Sequence, residues 1–255
     1  YYLSLLCSYI LIMNRMNKYF LIIFLTLVQT YSFSQADHQI WTELLRKHVS
    51  NNGHVDYKGF IKDSFELNKY LNYLSENGPI QTWSSKRTMA YWINAYNAYT
   101  IKLVIQNYPV KSIKEIGGKF PFVNSSWDIK FITINHEKLD LNNIEHTKLR
   151  KHFSDPRIHM AIVCASRSCP ILLNEAFSED QLDAQLDLQC RKFLSDSFRN
   201  DVGIDKLKIS MIFKWYRSDF KEVGGVRAFL KKYSPVAFSD KAKISYLEYD
   251  WNLNE

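Results

Sequence analysis

Residues 84–109 read SSKRTMAYWINAYNAYTIKLVIQNYP, and the reading of this stretch decides the fold. Ser84 or Ser85 is placed to cap a helix, and Pro109 bars its extension. Between Met89 and Ile105, apolar or aromatic side chains point in nearly every direction around that helix. A helix that is apolar all round is buried on every side, so a central rod in a hydrophobic core is expected. Asn94 and Asn97 lie inside it at i, i+3 spacing, on one face. A buried amide left without partners costs about 1–3 kcal/mol. Both side chains are therefore expected to be tied down, either by the backbone of a neighbouring loop or by groups in a functional cleft.

The segments on either side supply the rest of the core. Residues 37–53 place Ile40, Trp41, Leu44, Leu45 and Val49 on one helical stripe that Gly53 ends. HVDYKGF, residues 54–60, reads as a short extended entry to a second amphipathic helix through Phe65, Leu67, Leu71 and Leu74. WDIKFITINHEKLDL, residues 127–141, alternates as a β-hairpin with NHEK at its turn. Residues 142–153 form a short helix that Asn142 is placed to cap, with His146, Leu149, Arg150 and Phe153 on one side. RIHMAIVC, residues 157–164, alternates as a buried strand. Residues 178–194 open on a capping box from Ser178 to Gln181. KLKIS and AKISYLEYDW read as strands, and MIFKWYRSDF and VRAFLKKY as short helices. Long helices with a few mostly short strands define an α+β fold, a single domain of several helices around a small sheet. With no repeat and no long linker, one domain spans about residues 36–255.

Of the residues, 46% are hydrophobic and 15% aromatic, ample for a core, and the formal net charge is +7. A mild basic excess bears mainly on solubility. No Lys/Arg block suggests a nucleic-acid arm, so no nucleic-acid partner is expected. From Met16 the chain reads MNKYFLIIFLTLVQTYSFSQ. Lys18, the apolar run Tyr19–Val28 and the small residues Ser32 and Ser34 have the anatomy of a secretory signal peptide. Residues 16–34 are therefore read as a cleaved signal, and residues 1–15 as a non-native upstream segment. The apolar run is interrupted by NRMNK, short of the roughly 20 residues a membrane span needs. The expectation is an exported protein, periplasmic or extracellular, with no integral membrane segment after cleavage. Three cysteines then remain, Cys164, Cys169 and Cys190, in a compartment where disulfides persist.

HMAIVCASRSCP, residues 159–170, carries two of those thiols. Four readings stand side by side: a zinc site, a bridge from Cys169 to Cys164 or Cys190, plain buried thiols, or thiol catalysis. C-x4-C without a second compact Cys/His pair is a poor zinc site, and neither a metal nor a cofactor is expected. On a strand, His159 and Cys164 face opposite ways, so a local dyad between them is geometrically poor. Catalysis at Cys164 needs a base from elsewhere. His146 is the candidate, with Asn94, Asn97 or Asp250 to orient its ring. The loop from Ala165 to Ser168 offers Ser166, Arg167, Ser168 and backbone N–H groups for a carboxylate or another anion.

VDYKGF, YWINAYNAYTIKLV, YPVKSI, IEHTKLR, DPRIHMAIVCASRSCP, IFKWYRSDF and YDWNLN follow one another in order. This set, spanning about residues 55–255, resembles the family called domain of unknown function 547, found in bacteria and as a C-terminal module in plants. The resemblance brings no settled activity. It implies one intact domain built around the asparagine-bearing helix and the cysteine loop. Its motif residues here are Trp92, Asn94, Tyr96, Asn97, Glu145, His146, His159, Cys164, Ser166, Ser168, Cys169 and Pro170. In plant relatives serine can stand at the second cysteine position, which implies that a 164–169 bridge is not obligatory. Tyr99 departs mildly from the family's smaller aliphatic residue.

Two functions follow as expectations. The first is a cysteine-dependent hydrolase or transferase acting on amide or peptide bonds, distantly papain-like. In it Cys164 attacks, His146 moves the proton, Asn94 steers the ring, and Asn97, Ser166, Arg167 and Ser168 hold the substrate. N–H groups near Ala165 and Ser166 would stabilise an oxyanion. Against it, His146 precedes Cys164, the reverse of the papain-like order, although the same geometry can be built in another chain order. The second is a non-catalytic module in which the same residues bind a small anion, a peptide or a protein partner. A purely structural bracing role for these polar residues is the remaining reading. No phosphate-binding glycine loop, dinucleotide fingerprint or zinc-protease helix is present.

Overall fold

In α1 (Gln39–His48), Trp41, Leu44 and Leu45 are buried on one face, and the following loop turns at Gly53, whose φ of 82° suits glycine. Val55 returns to bridge Val49. The expected extended entry ends there, because Asp56 accepts the Gly59 N–H at 2.8 Å and caps α2 (Tyr57–Lys62). Gly59 has no room for a side chain: a Cβ would sit 2.3 Å from Nδ1 of His48. In α3 (Ser64–Glu76) the inner face is Leu67, Tyr70, Leu71 and Leu74. Phe65, assigned to that face from the sequence, is 77% exposed.

The central rod is α4 (Ser85–Asn107), capped by the Ser84 hydroxyl, which accepts the Arg87 N–H at 3.0 Å. Every residue from Met89 to Ile101 is buried. Helices α2 and α3 pack against it, and so does a helix of π type, Asn143–Arg150. Between them run the one-turn α5 (Lys114–Gly117) and the hairpin β1 (Ile132–Ile134) and β2 (Glu137–Leu139), paired Ile132 to Leu139. The hairpin turns on Asn135 and His136, with φ of 49° and 66°, the left-handed pair that two-residue hairpin loops require.

The structure, a computed structural model, describes residues 38–117 and 125–255. The expected signal peptide at 16–34 and the upstream stretch 1–15 lie outside the described residues. Residues Ile40–Glu255 form one compact unit. No helix among the described residues is long and apolar enough to cross a membrane.

The C-terminal third builds a second core. Helix α6 (Leu182–Ser195) is followed by β3 (Asp201–Val202), β4 (Lys206–Ile209), α7 (Ile212–Trp215), α8 (Gly225–Tyr233) and β5 (Lys243–Tyr246). Strand β4 pairs antiparallel with β3 and parallel with β5. Cys190, Phe193, Phe213, Phe220, Phe229 and Leu230 fill this core, which Met160 also enters. Helices with two small sheets make the domain α+β, as the sequence indicates. The capping box at Ser178 does not form, since α6 starts only at Leu182 and the Ser178 N–H goes to the Gln185 side chain at 3.0 Å.

The strand expected at 157–164 is absent. Pro156–Met160 is a 3-10 helix, opened by Asp155, which accepts the Arg157 N–H at 3.0 Å. Beyond it the chain is irregular, and its partner is a side chain rather than a strand. Asn97 Oδ1 accepts the Val163 N–H, and Asn97 Nδ2 donates to the Ala161 carbonyl, both at 2.9 Å. Asn94 does the same for Phe177, accepting its N–H at 2.9 Å and donating to its carbonyl at 2.8 Å. Each amide imitates a peptide group and pins an irregular segment to α4. Backbone groups that a sheet would pair are thereby satisfied.

Candidate functional site

A cavity of about 240 Å3 takes walls from both cores. Tyr96, Ile162 and Cys169 come from the first. Ile212, Tyr216 and Tyr249 come from the second. Trp127, Trp215 and Trp251 line it as well. Among these, Tyr249 and Trp251 have ring centres 4.6 Å apart, and Trp215 lies 4.8 Å from Tyr249.

The polar floor comes from the π-helix. Widening to i→i+5 hydrogen bonds shifts which residues face inward. Ile144, Glu145 and Leu149 are buried, whereas an α-helical reading puts His146, Leu149 and Arg150 together. Glu145 is only 5% exposed. Its Oε2 accepts the Tyr96 hydroxyl at 3.2 Å, and that hydroxyl accepts the Trp127 indole N–H at 3.2 Å. Its Oε1 is buried with no partner in hydrogen-bonding geometry. Burial first, then the charge of Glu145, and then hydrogen bonding to its carboxylate push the phenols of Tyr96 and Tyr216 well above their ordinary range, so the Tyr216 hydroxyl also lies close to that carboxylate. Both therefore stay protonated beside the carboxylate.

His146 stands exposed at the rim of the cavity, and Arg150 donates to its Nδ1 at 2.7 Å. The proton of the neutral ring is thereby left on Nε2. Arg150 also grips Asp219 through Nε at 2.6 Å and Nη2 at 2.8 Å. His159 Nε2 meets the same carboxylate at 2.9 Å, and its ring stacks on Tyr216 with centres 4.0 Å apart. Burial alone would raise the Asp219 carboxyl, but the hydrogen bonds from Arg150 and His159 outweigh it and hold the group well below the usual carboxylate range.

Cys164 and Cys169 both line the cavity, and they form a disulfide with Cα atoms 6.3 Å apart. Cys190 is a free, buried thiol in the second core, and burial raises its pKa strongly. The loop between the bridged residues is closed by the C-terminal tail. Arg167 N–H donates to the Asn252 carbonyl at 2.8 Å, Ser168 N–H to the Asp250 carbonyl at 3.2 Å, and Asn254 N–H to the Ala165 carbonyl at 3.1 Å. Ala165 holds a φ of 62° in this loop, a left-handed conformation that costs a non-glycine residue about 1–2 kcal/mol.

Several expected roles change accordingly. Cys164, bonded to Cys169, has no thiolate in this state and is not a nucleophile. Asn94 does not orient His146: it is fully buried and committed to Phe177, and Arg150 occupies the imidazole. Asn97 is likewise spent on backbone and is not among the residues lining the cavity. Ser166 is buried with its hydroxyl 3.3 Å from the Cys164 sulfur. Ser168 Oγ accepts the Asp250 N–H at 2.9 Å. Arg167 points outward, its side chain 53% exposed, toward Asp250 at 3.4 Å. These residues therefore do not form an anion pocket. Asp250 serves the loop and not an imidazole. His159, set aside when the segment was read as a strand, does line the cavity with Cys164. Among the described residues, no group of three or more His, Cys, Asp or Glu side chains is placed to hold a metal ion.

Glu145, named from the sequence only as a motif residue of the resemblance, was given no role there. Its signal was an acidic residue between Ile144 and Leu149 inside a resembling motif, hidden by the assumption of an α-helical period. Together the features define an α+β domain with an aromatic cavity, a buried carboxylate and a disulfide in the wall. The family model described as "Protein of unknown function, DUF547" matches residues 80–194, and the chain is a DUF547 domain-containing protein. The matched span contains α4, the π-helix, the cysteine loop and nearly all of α6. No curated protein and no solved structure matches the chain.

Proposed function

We propose that this domain recognises a small organic molecule with a cationic, hydrogen-bond-donating head. The head meets Glu145 Oε1, and its carbon substituents lie against the aromatic wall. The single observation that carries this reading is the buried, unpartnered oxygen of Glu145. An orphaned carboxylate oxygen costs free energy in the empty protein, and a donor from a ligand removes that cost. The lining supports a cation over an anion. Glu145 is its one carboxylate, and no Lys or Arg lines the cavity. Aromatic rings add attraction for organic cations, about 2 kcal/mol when desolvated. A hydrogen bond to a charged group adds about 1.5–3 kcal/mol, so a dissociation constant of roughly 0.2–3 mM is expected for a minimal ligand.

Calorimetric titration with three molecules of similar shape tests this: trimethylammonium, tert-butanol and trimethylacetate. Trimethylammonium alone binds, and Glu145→Gln weakens it at least tenfold. Binding of trimethylacetate, or equal binding to wild type and Glu145→Gln, contradicts the reading.

A second reading makes the cavity catalytic once the bridge is reduced, with Cys164 attacking an amide carbonyl and an imidazole serving as base. It is favoured by the presence of Cys164, His146 and His159 on one cavity. Reduced protein should then react with iodoacetamide at Cys164 faster than free cysteine near pH 7. An equal or slower rate removes this reading. Export is supported by the Tyr19–Val28 run behind Lys18 and by a disulfide, which persists in oxidising compartments.

A further inference from the structure

We propose that the Cys164–Cys169 bridge is a site of thiol–disulfide exchange with fixed polarity, in which an incoming dithiol attacks Cys164 and Cys169 departs as the thiolate. The proposal is independent of the ligand reading at Glu145, because it rests on the surroundings of the two sulfurs.

Those surroundings differ. Cys164 is half-buried, whereas Cys169 is only 3% exposed. The more accessible sulfur is the one an external thiolate reaches. The Ser166 and Tyr249 hydroxyls lie 3.3 and 3.5 Å from Cys164 Sγ, but Cys169 Sγ has a backbone N–H donor as well and the shorter contact with Tyr249. Cys169 Sγ accepts the Cys164 backbone N–H at 3.0 Å and the Tyr249 hydroxyl at 3.3 Å. Burial keeps the Tyr249 phenol protonated far above neutral pH, so it remains a donor. The Arg199 guanidinium, paired with Asp196, is hydrogen-bonded through Nε to the Cys169 carbonyl at 2.5 Å and keeps a partly neutralised cation on the Cys169 side of the bridge. Hydrogen bonds and a neighbouring cation lower a thiol's pKa, and the thiol of lower pKa leaves faster in exchange.

The loop does not depend on the bridge for its shape. The C-terminal tail pairs with residues 165–168, and a bridge spanning five positions closes too short a loop to be a major staple. Reduction can therefore proceed in the folded protein and reverse. The reductant's thiolate forms a new S–S bond to Cys164 Sγ. The Cys164–Cys169 bond breaks, and its electron pair stays on Cys169 Sγ, which then takes a proton. The second thiolate of the dithiol attacks its own sulfur in the mixed disulfide. Cys164 leaves as the thiolate and is protonated in turn. Two electrons and two protons pass to the bridge, and the dithiol becomes a disulfide.

The test uses the folded chain. Dithiothreitol at millimolar concentration should open the wild-type bridge without denaturant, and Tyr249→Phe should slow the opening about fivefold, the loss of one hydrogen bond of about 1 kcal/mol. Cys169→Ser, which leaves Cys164 free, should form a mixed disulfide with oxidised glutathione at Cys164. That reaction should be at least tenfold faster than the reaction of Cys164→Ser at Cys169. Peptide mapping keeps Cys190 apart from both. A bridge that opens only in urea, or faster capture at Cys169, overturns the proposal. The dithiothreitol rates of wild type and Tyr249→Phe decide the matter without either cysteine variant.

Discussion

Two sets of buried polar groups lie close together in this domain and behave differently. Asn94 and Asn97 are 0% and 2% exposed, and each closes a two-bond ring with backbone on an irregular segment. Glu145 is 5% exposed, yet one of its oxygens has no partner, and the residue lines a cavity. Burial and polarity are common to both. What separates a brace from a recognition group is whether the hydrogen-bonding capacity is used up inside the fold. A closed amide stabilises the native state, whereas an open carboxylate raises its free energy and leaves something for a ligand to do.

That contrast is most easily broken at Asn94. Asn94→Leu leaves the Phe177 N–H and carbonyl unpaired in the core, at about 1–3 kcal/mol each. The thermal midpoint should fall by about 10 °C for a domain of this size. A fall of less than a couple of degrees would mean that the amide is not a brace. The next largest effect is expected at Asp219, where removing one partner from a partly buried ionic network costs about 3 kcal/mol. The fold holds this carboxyl below its unfolded value. The stabilisation is thus fully present above the unfolded aspartate pKa of about 4 and is lost as pH falls through that value toward the lower folded one. Asp219→Asn should lower stability at neutral pH and flatten the acid limb of a stability-against-pH curve. An unchanged acid limb would show that other carboxylates dominate it. The smallest change is expected at Ala165. Glycine there relieves the left-handed backbone but loses more entropy on folding, so Ala165→Gly should move the midpoint up by about 1–2 °C. A clear decrease would show that the loop needs its Cβ.

Some of this was legible in the sequence for definite reasons. Helix α4 announced itself because its apolar side chains leave no face for water, and the β1–β2 hairpin because Ile132 and Ile134 alternate ahead of an asparagine suited to φ above zero. The 157–164 segment misled because Ile158, Met160, Ile162 and Cys164 alternate like a strand. The groups that pair with its backbone are an asparagine side chain some 64 positions away and not a strand. The anion pocket at 166–168 failed for a similar reason, as the tail that consumes its N–H groups lies over 80 residues further on. Glu145 was noticed only as a motif residue and given no role, because residues 143–150 wind as a π-helix and helical wheels assume the narrower turn. Local periodicity carried the elements. The site depends on tertiary pairing, which no local pattern encodes.

The central claim is that Glu145 is held open for a ligand, and one measurement addresses it directly. Thermal midpoints of wild type and Glu145→Gln, each with and without trimethylammonium, separate stability from recognition in one set of scans. The account predicts that Glu145→Gln unfolds no earlier than wild type, because a buried charge has been removed, and that only wild type is raised by the cation. A markedly lower midpoint for Glu145→Gln, or an equal rise in both proteins, would contradict it.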